Sequence, residues 1–111
     1  MICNAFDVVE VPFPFSDLPK AKMRKALVLS HEAFNQKNGN SILMMITSAE
    51  KSRWLLDVTI QDLEAAGLRK ACVARLKLFT LDNGLLVKIV GRLSENDQKK
   101  VREVLKNAIP L

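Results

Sequence analysis

Histidine is nearly absent from this sequence, and no segment has the spacing of a metal or nucleotide site. The chain has one histidine, His31, and two cysteines, Cys3 and Cys72. With so little histidine, Ser-His-Asp and Cys-His catalytic sites are excluded, and no set of metal ligands can be assembled. Neither GxxxxGK[ST] nor GxGxxG occurs, so nucleotide-driven chemistry has no support. We therefore expect neither a metal nor a cofactor.

Long apolar runs and a secretion signal are also missing. The run at residues 42–46 is typical of the apolar stretches and is far shorter than the roughly 20 residues of a membrane span. Residues 1–10 have no basic region before an apolar core, so no signal peptide is expected. These observations predict a cytoplasmic protein without a membrane partner, in which both cysteines remain free thiols.

The charge is unbalanced, with 17 Lys and Arg against 12 Asp and Glu, a net charge of +5 and a pI near 9.5. Such an excess predicts a polyanionic partner, and both a nucleic acid and an acidic protein satisfy it. The 111 residues, 49% of them hydrophobic, suffice for one core. We expect residues 1–111 to form a single domain.

Short apolar segments at close spacing predict a mainly β fold. Strands are expected at residues 7–11, 26–29, 41–47, 55–58, 71–75, 77–81 and 85–90. Asp82-Asn83-Gly84 is typical of a hairpin turn. The pattern indicates a small curled antiparallel barrel with short helices and a C-terminal helix lying on it.

Three helices are predicted from capping signals and periodicity. The first covers residues 30–37 with Ser30 as its N-cap, and the second starts at Thr59 with Asp62 at its third position. The third begins after Ser94 and covers residues 95–108 with one apolar stripe.

Prolines and cations share the segment between the first two strands. Pro12, Pro14 and Pro19 lack backbone donors, so this segment must leave the sheet as a loop. Four cations follow within six positions, namely Lys20, Lys22, Arg24 and Lys25. They suit a phosphate-bearing ligand. Charge alone leaves open the alternative of a solvated loop.

Cations and hydroxyls recur at predicted strand ends, namely Arg24, Thr47, Ser48, Arg75 and Lys77. RNA can be cut without a metal, because its own 2′-OH attacks the neighbouring phosphate. The protein must orient that phosphate, stabilise the developing charge and help protons move. An arginine and a hydroxyl supply the first two, but neither is a good base at neutral pH. The alternative for Thr47-Ser48 is a polar strand end that caps a loop.

Six segments, taken in order, resemble the PemK/MazF toxin family, the endoribonucleases of type II toxin–antitoxin pairs. They are DVVEVPFPFSD, MRKALVLS, ILMMITS, the Ala-Gly-Leu of EAAGL, VARLKLFTLD and KIVGRLSENDQKKV. The resemblance implies an SH3-like β-barrel with a C-terminal helix, assembled as a homodimer. It implies sequence-selective, metal-independent cleavage of single-stranded RNA to 2′,3′-cyclic phosphate and 5′-hydroxyl ends. It also implies neutralisation by a cognate antitoxin.

The resemblance assigns roles by position. Arg24 and Thr47 match the family's catalytic arginine and threonine. RNA binding falls to Ser48, Arg75, Lys77, Lys20, Lys22 and Ser16, the last three belonging to a flap at residues 16–22.

The sequence departs from the family at three points. Phe6 stands where the family has glycine, Lys25 where it has proline, and no aspartate follows Arg75 closely. These departures keep a second hypothesis open, a catalytically degenerate module that binds RNA or the antitoxin without cutting. Inhibition of a DNA topoisomerase is a third, which no residue selects.

Overall fold

The computed structural model describes residues 1–12, 23–50 and 53–111. Ser16, Lys20 and Lys22, with the rest of the predicted flap, lie outside the described residues.

Six antiparallel strands form one sheet. In chain order they are β1 (Asp7–Pro12), β2 (Met23–Val28), β3 (Asn40–Ser48), β4 (Val58–Thr59), β5 (Cys72–Asp82) and β6 (Lys88–Arg92). The spatial order is β4-β5-β3-β2-β1-β6. Three helices accompany them, α1 (Glu32–Asn38), α2 (Leu63–Ala66) and α3 (Glu95–Ala108). The prediction of a mainly β fold, a curled sheet with short helices and a C-terminal helix, is confirmed.

The sheet is apolar on both faces. Because side chains alternate along a strand, Leu27 and Met44 pack on one face with Val101 of α3. Val28 and Leu43 pack on the other face with Cys3. All six of these side chains are at most 2% exposed. Burial on both faces fixes the register, since a slip of one residue would exchange the two faces.

The helix ends are capped, though not always by the predicted residue. Ser94 accepts the backbone N–H of Asp97 and so caps α3 as predicted. The Ser30 prediction is wrong, because His31 holds the N-cap position of α1 and the Ser30 hydroxyl instead accepts the N–H of Ile42. In the described part of the chain, no helix has the length and apolar composition needed to cross a membrane.

The second predicted helix starts later than expected. Thr59 belongs to β4, and Asp62 is the N-cap of α2, where its side chain accepts the N–H of Ala65. The Asp97 carboxylate accepts the N–H groups of Gln61 and Asp62. These bonds attach the start of α2 to α3.

Three strand predictions need correction. The strand predicted at residues 55–58 is reduced to Val58–Thr59, because residues 54–57 form a turn. The two strands predicted around Arg75 are one continuous β5, with a bulge that shifts its register against β3. Asp82-Asn83-Gly84 does turn the chain, but β6 begins at Lys88 and pairs with β1, so no hairpin forms with β5.

Two glycines with the same backbone conformation offer a matched test of packing. Gly39 and Gly67 have φ of 67° and 71°, which disfavours any side chain by about 1–2 kcal/mol. A Cβ on Gly39 would meet no described atom within 4 Å, whereas one on Gly67 would overlap the carbonyl oxygen of Val90. Of these two glycines, Gly67 alone lies in close contact with β6.

We expect Gly67→Ala to lower the free energy of unfolding well beyond the effect of Gly39→Ala, because it adds a backbone clash to the shared conformational cost. Urea denaturation of both variants measures the difference. Equal losses would contradict the close contact between α2 and β6.

Candidate functional site

Strands β2 and β3 pair at one end and separate at the other. The ladder runs Val28↔Leu43, Leu27↔Met44 and Ala26↔Met45, and no further pair follows. Continuing the same register brings Arg24 level with Thr47. Alternation then puts both side chains on the sheet face that carries Ala26 and Met45.

A cleft of about 310 Å³ occupies the gap between the separated strands. Arg24 is exposed at its edge, and Thr47 and Ser48 are half-buried. The Ser48 hydroxyl accepts the N–H of Glu50 at 3.3 Å, which turns the chain away from the strand end. The cleft is lined by Met23, Arg24, Lys25, Ile46, Thr47, Ser48, Lys70 and Cys72. A guanidinium and two hydroxyls at one opening suit an anionic oxygen.

Two neighbouring cavities, of about 360 and 510 Å³, share lining residues with the cleft and with each other. We name the cleft and these two cavities together the basic groove. Within the described part of the chain, its charged lining consists of five cations and one carboxylate, Arg24, Lys25, Arg69, Lys70, Lys88 and Glu10. The excess of positive charge favours an extended polyanion over a single small anion.

Lys25 lies in the middle of the basic groove and is paired. Its Nζ donates to Glu10 Oε1 at 2.8 Å, across the register pair that joins β1 and β2. The hydrogen bond from Lys25 and its charge hold the pKa of Glu10 below its ordinary value. Lys25 therefore contributes a compensated charge, unlike Lys70 beside it, which forms no ion pair with any residue that the structure describes.

The groove also contains a thiol. Cys72 is 8% exposed, and burial raises the pKa of its thiol, so it stays protonated and unreactive at neutral pH. Both Cys3 and Cys72 are free, as predicted. Among the residues that the structure describes, no group of three or more His, Cys, Asp and Glu side chains could hold a metal ion.

Arg75 lies beside the cleft in a buried ion pair. Its Nε and Nη2 donate to the two carboxylate oxygens of Asp57 at 3.1 and 3.0 Å. The residue is 6% exposed, and its guanidinium lies over the ring of Trp54, 5.0 Å from the centroid. Since Thr47 pairs with Val73 and Met45 with Arg75, Arg75 is the diagonal neighbour of Thr47 on the same face.

Asp57 keeps its charge despite burial. Burial alone would raise the pKa of this carboxyl, but hydrogen bonds from Arg75 and from the backbone N–H of Trp54, with the charges of Arg75 and Arg53, outweigh it. The pKa of Asp57 is therefore lowered, and the ion pair is intact at neutral pH.

The predicted site residues fall into three groups. Arg24, Thr47 and Ser48 meet at the cleft. Arg75 lies next to it but is already bound to Asp57, and Lys77 lies in the bulge of β5, half-buried. The third group, Ser16, Lys20 and Lys22, is outside the described residues.

Sequence reasoning missed four residues that the fold brings to this region, Trp54, Asp57, Arg69 and Lys70. A lone tryptophan in a polar loop and a basic pair after Gly67 were the available signals for three of them. Asp57 gave none, because its partner is 18 positions away in the chain.

Comparison with known proteins defines the family. The model of the PemK-like, MazF-like toxins of type II toxin–antitoxin systems matches residues 4–109. The chain belongs to this family, as the six sequence segments predicted. No curated protein sequence matches significantly.

Solved structures with the same fold include MazF proteins and their complexes. A MazE–MazF complex from Deinococcus radiodurans superposes with a TM-score of 0.79 at 19% identity, covering 100% of this chain and 99% of that one. An endoribonuclease in complex with its cognate antitoxin from Mycobacterial species superposes with a TM-score of 0.75 at 14% identity, and the match covers 99% of this chain and 95% of that one. The Mycobacterium tuberculosis toxin MazF-mt6 superposes with a TM-score of 0.75 at 19% sequence identity, and the match covers 95% of this chain and 97% of that one. At these identities the likeness shows the shared fold.

Removal of the Asp57 charge tests the buried pair. We expect Asp57→Asn to lower the free energy of unfolding by about 3 kcal/mol at pH 7, because Arg75 is left buried without its counterion. The lowered pKa of Asp57 means that its contribution is present above the unfolded-state pKa of about 4 and is lost as pH falls through the folded-state value. The difference between wild type and variant should therefore shrink on acidification below about pH 4.

Chemical denaturation from pH 7 to pH 2.5 measures that difference. A deficit that stays constant over the whole range would show that the Asp57 charge does not stabilise the fold.

Proposed function

We propose that this chain is a sequence-selective endoribonuclease toxin that cleaves single-stranded RNA without a metal. The observation that carries the proposal is the register of β2 and β3, by which Arg24 lies level with Thr47 at one cleft. An exposed guanidinium beside hydroxyls is what a phosphorane-like transition state requires. Membership of the PemK-like, MazF-like toxin family supports the same chemistry.

In the proposed reaction the 2′-oxygen of the substrate attacks the adjacent phosphorus. A bond forms between the 2′-oxygen and phosphorus while the bond from phosphorus to the 5′-oxygen breaks. The 2′-OH loses its proton and the leaving 5′-oxygen gains one, which gives a 2′,3′-cyclic phosphate and a 5′-hydroxyl. Arg24 stabilises the non-bridging oxygens and serves in proton transfer, and Thr47 donates its hydroxyl to the same phosphate.

RNA on either side of the cut phosphate is proposed to follow the basic groove. Lys70 and Arg69 extend the line of positive charge away from Arg24. The RNA-binding assignment to Ser48, Arg75 and Lys77 and to Ser16, Lys20 and Lys22 is part of this proposal. A chain of phosphates matches a groove lined by five cations better than an isolated anion does.

The proposed partners are a cognate antitoxin and a second copy of the chain. The solved complexes of MazF with MazE and of a Mycobacterial endoribonuclease with its antitoxin support the first. An acidic antitoxin segment would complement the basic groove. Val87 and Ile89, exposed by 58% and 44% at the β6 edge, supply apolar surface for a homodimer. We propose that residues 1–111 act as one domain in the cytoplasm.

Arg24→Ala is expected to abolish cleavage of a long mixed-sequence RNA in EDTA, because the phosphate loses its main positive charge. Mapping of the RNA ends measures the activity, and cyclic-phosphate ends identify the chemistry. Lys37→Ala removes an exposed cation from the last turn of α1 and is the matched control for charge.

Normal cleavage by folded Arg24→Ala protein would overturn the assignment. Binding of RNA in low salt without cleavage by the wild type would favour the binding module instead, with Lys25 at the family's proline position as the first residue to change.

Lys70→Ala tests the groove separately from the chemistry. Each phosphate contact to a single strand contributes about 0.7 to the slope of log affinity against log salt concentration. We expect Lys70→Ala to reduce that slope by about this amount, whereas Lys106→Ala, an exposed cation on α3, leaves it unchanged. Equal slopes for all three proteins would exclude Lys70 from the RNA path.

A further inference from the structure

Trp54 presents an open aromatic ring on the connection between β3 and β4. It is 45% exposed, and the guanidinium of Arg75 lies over its ring at 5.0 Å from the centroid. Arg75 itself is 6% exposed. The ring therefore rests on a buried cation and keeps nearly half of its surface accessible to a second flat group.

The ring is held in place by a closed turn. The backbone N–H of Trp54 donates to Asp57 Oδ2 at 2.9 Å, and the N–H of Asp57 donates to the carbonyl of Trp54 at 3.3 Å. Within this turn Leu56 has a φ of 69°, in the left-handed region that a leucine seldom adopts. The same Asp57 carboxylate binds Arg75, so one side chain fixes both the backbone of Trp54 and the guanidinium that its ring contacts.

Arg75, over which the ring lies, relates Trp54 to the proposed cleavage position. Arg75 is the diagonal neighbour of Thr47 across β3 and β5, on the same face of the sheet. A group that stacks on Trp54 would therefore lie on the β5 side of Thr47, whereas Arg24 lies on its β2 side. The neighbouring Arg53 adds an exposed positive charge at the start of the turn.

We propose that Trp54, supported by Arg75, is a stacking platform for an unpaired RNA base next to the phosphate that is cut. The proposal rests on the proposed function for the identity of the ligand. Single-stranded RNA binds proteins by stacking its bases on aromatic side chains, and an arginine on the far face adds a cation–π contribution. In this arrangement Arg75 is a positioning residue, which acts on the RNA through Trp54.

Intrinsic fluorescence tests the platform directly, because Trp54 is the only tryptophan and the chain has no tyrosine. The probe is a short mixed-sequence RNA with 2′-O-methyl riboses, which cannot be cut by the proposed reaction. We expect this probe to quench the emission. An abasic oligomer of the same length, bound at low salt, should leave the Trp54 emission unchanged. Unchanged emission with the base-bearing RNA fully bound would overturn the proposal.

Substitution gives the second measurement. Trp54→Leu should bind the probe about 5- to 150-fold more weakly, the range expected for one stacked base. Trp54→Phe, which keeps an aromatic ring, should recover part of that loss. Leu55→Ser is the matched control, since Leu55 is 89% exposed in the same turn. Equal weakening by Leu55→Ser, or normal binding by Trp54→Leu, would mean that the ring does not stack on a base.

These outcomes separate the platform from the catalytic proposal. Quenching by RNA that the wild type never cuts would retain the platform and reject the endoribonuclease. Normal cleavage by Trp54→Leu, with no quenching in the wild type, would retain the endoribonuclease and reject the platform. Quenching by an acidic antitoxin segment but not by RNA would assign the surface to the protein partner and overturn the proposal.

Discussion

The register between β2 and β3 is the constraint on which the rest of the site depends. Leu27 and Met44 are buried on one face while Val28 and Leu43 are buried on the other, so neither strand can slip by one residue. The core thereby determines which side chains stand level where the strands separate. Arg24 and Thr47 share the open end because the closed end of the same two strands is fully packed.

The turn at residues 54–57 shows how the fold uses a buried charge. A buried ion pair contributes little net stability on its own, because desolvation offsets the attraction between the charges. Asp57 also binds the backbone N–H of Trp54, so the pair fixes the turn as well as Arg75. The exposed ring of Trp54 and the left-handed Leu56 are held by this one carboxylate. Geometry, more than stability, is what the pair contributes.

Local patterns predicted most of the fold because they reflect local physics. The β-branched run that forms β1 and the Ser94 cap of α3 depend on neighbours in sequence, and both predictions are confirmed. The start of α2 and the partner of β6 were predicted wrongly. Asp97 binds the backbone at residues 61 and 62, and β6 pairs with β1 across the whole chain. Such long-range contacts leave no local signal.

The same distinction applies to the site. The occurrence of cations and hydroxyls at predicted strand ends identified Arg24, Thr47 and Ser48 as candidate site residues, since binding a phosphate requires such side chains close to one another. The sequence could not reveal that Arg75 is enclosed by Asp57 and Trp54, because the turn that carries them is recognisable only when folded. Arg69 and Lys70 were missed because they join the groove through the end of α2, whose position depends on Gly67 and Val90.

Two of the three departures that the sequence resemblance indicates, Phe6 and Lys25, have a structural resolution in this chain. Phe6, at the family's glycine position, has a φ of 73°. Its N–H donates to Val28 and its carbonyl accepts from Leu93, while its ring packs on the core beneath Arg102. Partial burial of that ring against the core offsets the strain of this backbone conformation.

Lys25, at the family's proline position, is held by Glu10. The substitution therefore adds no uncompensated charge to the basic groove. It instead inserts an ion pair, about a third exposed at both side chains, between Arg24 and the cations farther along. An arriving phosphate competes with Glu10 for Lys25, and such exchange is weakly opposed because solvent screens the pair. The groove thus retains a cation that an anionic ligand can recruit, at a position where proline would offer none.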